Sequence, residues 1–174
     1  MTKSNIKKIY HNFIHTFPLI LLFFLAFTGF DLSFFLFGNN YYFNFIYAVI
    51  FYWVLKKPER LSYGLIFLAG IINDVVQNFP IGISSINYLL LSSIAAFIRA
   101  RTLVPSLIYD WVFYLIAIII ISSINFTTLT LFFDYPIKYG TLMFGSFITF
   151  LIYPILSKLF DRISLIDLRE ENAK

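Results

Sequence analysis

Long apolar runs with almost no charge constrain this chain more than any other feature. Several runs approach the ~20 residues that an α-helix needs to cross the hydrocarbon of a bilayer. A transmembrane β-barrel would show shorter segments with alternating polar and apolar residues, whereas LILLFFLAFTGF and FYLIAIIII do not alternate. Of all residues, 60% are hydrophobic and 13% are charged, against about 25% charged in soluble domains. We therefore predict an all-α, polytopic integral membrane protein.

The apolar runs predict six transmembrane helices, at residues 17–37, 41–55, 61–78, 83–98, 103–125 and 137–160. They form one transmembrane domain over residues 17–160. The segment 1–16 before it is basic and amphipathic, which is typical of a helix lying on an anionic membrane surface. Residues 161–174 form a predicted C-terminal tail, and FTTLTLFFDYPIK is the longest predicted loop on the other side.

The distribution of Lys and Arg predicts the orientation, because basic residues concentrate in cytoplasmic loops. With both ends of the chain in the cytoplasm, 12 of the 13 Lys and Arg residues fall on the inner side and only Lys138 falls outside. With one helix more or fewer, several of these basic residues would fall on the outer side, so their distribution also supports the count of six helices.

Asp74 is the only charge between Arg60 and Arg99. Because helix positions three and four residues apart share a face, Gly70, Asn73, Asp74 and Gln77 make a polar stripe on the third helix.

The fourth helix carries polar residues to match this stripe, namely Ser84 and Tyr88. Pro80 should end the third helix, and Gly82 gives the chain freedom before the fourth. An ionisable group at bilayer depth costs at least roughly 2.5–3.5 kcal/mol, so Asp74 needs several partners. Three interpretations stay open: a structural carboxyl that fixes the helix hairpin, a docking point for a partner helix, and a proton or ligand site.

Asp110 is a second acid within an apolar run, with Ser106 and Tyr114 on its face of the fifth helix. We expect an ion pair with Arg99 or Arg101 near the inner boundary of the membrane.

Residue types with catalytic or metal-binding chemistry are few. His11 and His15 are four residues apart but lack a third metal ligand nearby. The chain shows neither a phosphate-binding loop nor a serine–histidine–aspartate set. We expect a protein that is not an enzyme, with no metal, no cofactor and no nucleic-acid partner.

The stretch YWVLKKPERLSYGLIFLAGIINDVVQNFPIGISSINY resembles the rod shape-determining protein MreD family of bacteria. The resemblance covers about a fifth of the chain, and a proline late in the last helix accompanies it. It lies in Tyr52, Trp53, Pro58, Arg60, Gly64, Gly70, Asp74, Gly82 and Pro154.

The resemblance implies a non-enzymatic inner-membrane component of the cell-elongation machinery. Members of this family associate with MreC, and through it with the MreB filament, the polymerase RodA and its transpeptidase. The family is also similar in fold to the substrate-binding components of energy-coupling-factor vitamin transporters. We expect Pro58 and Arg60 to shape an inner loop available to cytoplasmic partners.

Two other functions remain open. The first is a vitamin-binding transporter component in which Asn73, Asp74, Gln77 and Asn87 line a pocket. The second is a proton or ion pathway through Asp74 and Asp110.

Overall fold

The computed structural model describes residues 3–29, 32–36, 39–102, 106–134 and 138–171, with side chains described over 16–29, 44–102, 106–134 and 138–164. The predicted helical architecture with six helices is confirmed over these residues. The helices are α1 Lys3–Thr28, α2 Phe45–Lys56, α3 Tyr63–Gln77, α4 Ile83–Arg101, α5 Leu107–Phe133 and α6 Tyr139–Glu171.

A short β-ribbon between α1 and α2 is not predicted by the sequence. Strands β1 Leu32–Leu36 and β2 Asn39–Phe43 pair antiparallel. The prediction that the first helix continues to residue 37 is therefore wrong. Helix α1 ends at Thr28, and Gly29 follows it with a left-handed φ of 55°. The second helix begins at Phe45 rather than at residue 41, because β2 occupies the preceding residues.

The helices alternate in direction along the chain. Tyr47 of α2 contacts Tyr88 of α4, while Arg99, near the end of α4, donates to the carbonyl of Val54, near the end of α2. These two helices therefore run parallel. In contrast, α5 and α6 run antiparallel, since Trp111 and Tyr114 stack on Phe150 and Tyr153 while Ser122 bonds Ser146.

Helix α2 forms the centre of the bundle. Every residue from Ile46 to Leu55 is buried, although the helix has only 12 residues and is about 18 Å long. It contacts α1, α4 and α6. Two polar clusters form along this framework: one at the turn between α3 and α4, which we call the hairpin site, and one at the end of α2 that carries Lys56.

Three helices are long and apolar enough to cross a membrane in the described part of the chain: Ile83–Arg101, Leu107–Phe133 and Tyr139–Ser164. These are properties of a membrane protein. The other apolar helical segments, Thr16–Thr28, Phe45–Lys56 and Tyr63–Gln77, are shorter.

Helices α5 and α6 both extend beyond their predicted ends. Helix α5 continues to Phe133, so most of the predicted loop over residues 126–138 is helical. The Thr127 hydroxyl donates to the carbonyl of Ser123, one turn back (2.8 Å), and so finds a partner inside the helix. Helix α6 contains Pro154 and continues to Glu171, through the predicted tail.

Candidate functional site

The hairpin site begins with the way α3 ends. Asn78 adopts a left-handed conformation (φ 55°, ψ 34°), and the Phe79 N–H donates to the carbonyl of Asp74 (2.9 Å). This pair of features is the Schellman motif, which satisfies carbonyls that a helix end would otherwise leave without donors. Helix α3 therefore stops at Asn78, before Pro80 is reached. Pro80 lies in the turn, where its carbonyl accepts from Ile83 (3.4 Å).

The carboxylate of Asp74 binds the first N–H groups of the next helix. Oδ2 accepts from the Gly82 N–H (2.7 Å) and Oδ1 accepts from the Ser84 N–H (2.9 Å). The first N–H groups of a helix have no partner within it, and the helix dipole favours a negative charge there. Asp74 is fully buried, so the N-terminus of α4 is capped by a side chain from the neighbouring helix.

Two glycines allow this geometry. Gly82 has a φ of 105°, a conformation that residues with a Cβ rarely adopt. Gly70 lies against α4: a Cβ there would be 2.4 Å from the Cα of Ser85 and 2.6 Å from its nitrogen. The close helix approach predicted at Gly70 is therefore present. The Ser85 hydroxyl adds a hydrogen bond to the Phe67 carbonyl (3.0 Å).

The other predicted polar residues of the hairpin contact three different helices, namely α4, α1 and α2. Asn73 donates to the Ser84 hydroxyl (3.1 Å), across the hairpin. Gln77 donates to the Gly29 carbonyl at the end of α1 (3.4 Å). Tyr88 packs edge-on against Tyr47, so it faces α2.

Asn87 points away from the hairpin, towards α5. Its amide donates to Asn125 (3.0 Å). The structure thus brings Asn73, Asp74 and Ser84 together and places Asn87 with a different helix.

A second polar cluster joins α2, α5 and α6. The Lys56 ammonium lies 3.3 Å from Asp110 Oδ2 and 3.8 Å from Asp161 Oδ1. The Tyr52 hydroxyl donates to the same Asp161 oxygen (2.7 Å). One cation therefore links two acids from different helices.

The predicted ion pair of Asp110 with Arg99 or Arg101 is wrong, since Lys56 is its partner. Arg99 instead donates to the Val54 carbonyl (3.0 Å), and Arg101 lies over the Phe97 ring. Helix α5 begins at Leu107, so Asp110 lies in its first turn, where the helix dipole favours an acid. Ser106 immediately precedes the helix, and its carbonyl accepts from the Asp110 N–H (3.0 Å).

The loop before α3 contains the two residues that were predicted to shape it, Pro58 and Arg60. Pro58–Arg60 forms a 3-10 turn. Arg60 is buried and lies over the Trp53 ring, with its guanidinium carbon 5.3 Å from the ring centre. Pro58 and Arg60 therefore shape this turn, Arg60 from a buried position, and Glu59 is the exposed residue of the turn.

Sequence reasoning missed Asp161 and Lys56. Asp161 falls in the predicted tail and Lys56 in a predicted loop, because each apolar run ends just before these residues. A signal was present on α6: Tyr153, Ser157 and Asp161 recur every four residues, which places them on one face.

Metal ligands do not cluster in the described residues: no group of three or more His, Asp or Glu could hold a metal ion there. The side chains of His11 and His15 lie outside the described residues.

Comparison of the chain with protein-family models, with curated protein sequences and with solved structures finds no match.

Proposed function

We propose that this chain is a six-helix membrane scaffold of the bacterial cell-elongation machinery, similar to MreD, that binds MreC and helps to position the peptidoglycan synthases. In this proposal all six helices lie within the inner membrane, and both ends of the chain are cytoplasmic. The indirect partners in this proposal, reached through MreC, are MreB, RodA and its transpeptidase.

The hairpin site is the observation that carries this proposal. The stretch that resembles the MreD family folds as one continuous unit, from the end of α2 through α3 into α4. Three residues that carry the resemblance each contribute to the hairpin of α3 and α4. Gly70 permits close helix contact, Asp74 caps α4 and Gly82 makes the turn. The pattern therefore encodes a rigid pair of helices.

A scaffold needs helix surfaces rather than a reaction centre. Lipid gives no hydrophobic drive for helix association, so a rigid face of defined shape is needed to bind a partner helix. Helix α3 offers such a face beside the hairpin contact, where Tyr63, Phe67, Leu68 and Val75 are exposed.

The carrier alternative has less support from the geometry. Its predicted pocket residues use their polar atoms inside the protein: both carboxylate oxygens of Asp74 accept backbone N–H groups, and Asn73 and Asn87 bond Ser84 and Asn125. A vitamin would have to displace these bonds.

Co-purification from the native host tests the proposal. The tagged full chain is solubilised in mild detergent and captured beside an unrelated six-helix membrane protein with the same tag. We expect MreC to be enriched with the chain. A folded, monodisperse chain that captures no more MreC than the control would contradict the proposal.

A further inference from the structure

Three helices place their polar side chains in one line at the Lys56 end of the bundle. Tyr52 and Lys56 come from the buried helix α2, while α5 and α6 contribute residues at four-residue spacing. We call this set the polar seam: Tyr52, Lys56, Asp110, Tyr114, Tyr153, Ser157 and Asp161.

Three buried hydroxyls of the polar seam lack a full set of protein partners. Tyr114, Tyr153 and Ser157 have no solvent exposure. The Tyr114 hydroxyl bonds to no described residue, and the hydroxyls of Tyr153 and Ser157 have only each other. A buried polar group left unpaired is strongly disfavoured, and such groups in proteins are normally bonded to other residues or to ordered water.

The polar seam is open at one end and closed at the other. Its outer acid, Asp161, has a side chain that is 39% exposed. At the deep end Tyr114 and Tyr153 stack with their ring centres 4.2 Å apart, and the Phe51 ring lies 5.0 Å from that of Tyr114. Solvent can therefore reach the seam from the Asp161 end, whereas rings close the other.

The charge of the polar seam identifies the ligand it can take. Two carboxylates face one ammonium, and the remaining groups are hydroxyls, so oxygen atoms predominate. The Lys56 ammonium already lies between the carboxylates of Asp110 and Asp161, which is where a metal ion would bind. Water, by contrast, can donate to a carboxylate and accept from a hydroxyl at the same time, and a buried water needs two to four such partners.

We propose that the polar seam binds water molecules that enter beside Asp161 and end at the hydroxyls of Tyr114 and Tyr153. This water gives Asp110 contact with solvent on one side of the bundle only. The inference does not depend on a role in cell elongation, because it rests on the packing of α2, α5 and α6 alone.

Radiolytic hydroxyl labelling of the full chain in lipid nanodiscs tests this proposal, since radicals form from water where it is bound. Tyr88 is the matched control, as it is equally buried but lies outside the polar seam. We expect Tyr114 and Tyr153 to be labelled several-fold faster than Tyr88. Equal labelling of the three tyrosines would overturn the proposal.

The variant Tyr114→Phe gives a second readout, because it removes only a hydroxyl that has no protein partner. If water is bound there, its loss should lower Tm by about 2–4 °C. A dry, unpaired hydroxyl would instead give a variant with a raised Tm, and that result would also overturn the proposal. Tyr109→Phe, at an exposed position on the same helix as Tyr114, is the control and should leave Tm unchanged.

Discussion

Replacing Gly70 with alanine should separate α3 from α4. The added Cβ would lie 2.4 Å from the Cα of Ser85, in a region where ordinary contacts begin at 3.4 Å. The atoms it meets include backbone, so a rotamer change cannot relieve the clash. The two helices must move apart by about 1 Å at this point to restore normal contact.

The cost of this movement follows from what the helix contact holds together. Overpacking a tight contact costs typically about 1–3 kcal/mol, and the shift also stretches the bonds of Asp74 to the α4 N-terminus, since these link the same two helices. Alanine returns about 1 kcal/mol of helix propensity. Weakening the hydrogen bonds to the Asp74 carboxylate adds about 2 kcal/mol. We therefore expect Gly70→Ala to lower the free energy of unfolding by roughly 2–4 kcal/mol.

Gly64 supplies the control on the same helix. A Cβ at Gly64 would meet nothing within 4 Å, so Gly64→Ala should be neutral or stabilising by up to about 1 kcal/mol. Thermal unfolding of both variants in the same detergent, followed by helical circular dichroism, measures the difference. If Gly70→Ala is as stable as Gly64→Ala, the close contact of α3 with α4 is not present in the protein.

Three further variants test the polar contacts. Asp74→Asn replaces an acceptor of two N–H groups with an amide that can accept with only one atom, and it should cost about 1–3 kcal/mol of stability in thermal unfolding. Lys56→Met leaves Asp110 buried without its cation and should cost about 3–5 kcal/mol, while the double variant Lys56→Met/Asp110→Asn should recover most of this loss. Arg99→Ala removes a donor to a carbonyl at the end of α2 and should cost about 1–2 kcal/mol by the same measurement.

Asp74→Asn and Arg99→Ala each have a control at an exposed position. Asp134→Asn changes an exposed acid just after α5 that already has a left-handed φ of 48°, a conformation that Asn tolerates well, so stability should be unchanged. Arg101→Ala removes an exposed arginine two residues from Arg99 and should change stability by less than about 0.5 kcal/mol. Losses as large as those of Asp74→Asn and Arg99→Ala would show that charge alone, rather than the specific contacts, explains the effects.

The hairpin was predictable because all its parts lie close together in the sequence. Gly70, Asp74 and Gly82 fall within thirteen residues, and helical spacing alone places Gly70 and Asp74 on one face. The turn after them then brings the next helix back against that face. What the sequence did not specify is the form of the contact, in which Asp74 binds backbone N–H groups rather than the side chains of α4.

The Lys56 cluster was not predictable in the same way. Its members are residues 56, 110 and 161, and their meeting depends on how three helices pack. Arg99 and Arg101 are nearer to Asp110 in sequence, which led to the wrong partner. Only the tertiary fold shows that Arg99 is used at the end of α2.

The β-ribbon was missed because its first strand is as apolar as a helix. Leu32–Leu36 reads LSFFL, and a short apolar run cannot be assigned to helix or strand by periodicity alone. The signal that was available is Gly29, since a glycine just after a helix commonly ends it with a left-handed conformation. The same reasoning applied at Asn78 places the end of α3 correctly.

Native mass spectrometry of the chain released directly from its own membranes tests the scaffold proposal most directly. The proposal predicts a complex whose mass is that of the chain plus MreC, with no small molecule bound in stoichiometric amount. A chain that leaves the membrane without MreC and carries one specific metabolite per molecule would contradict it and would support the vitamin carrier instead.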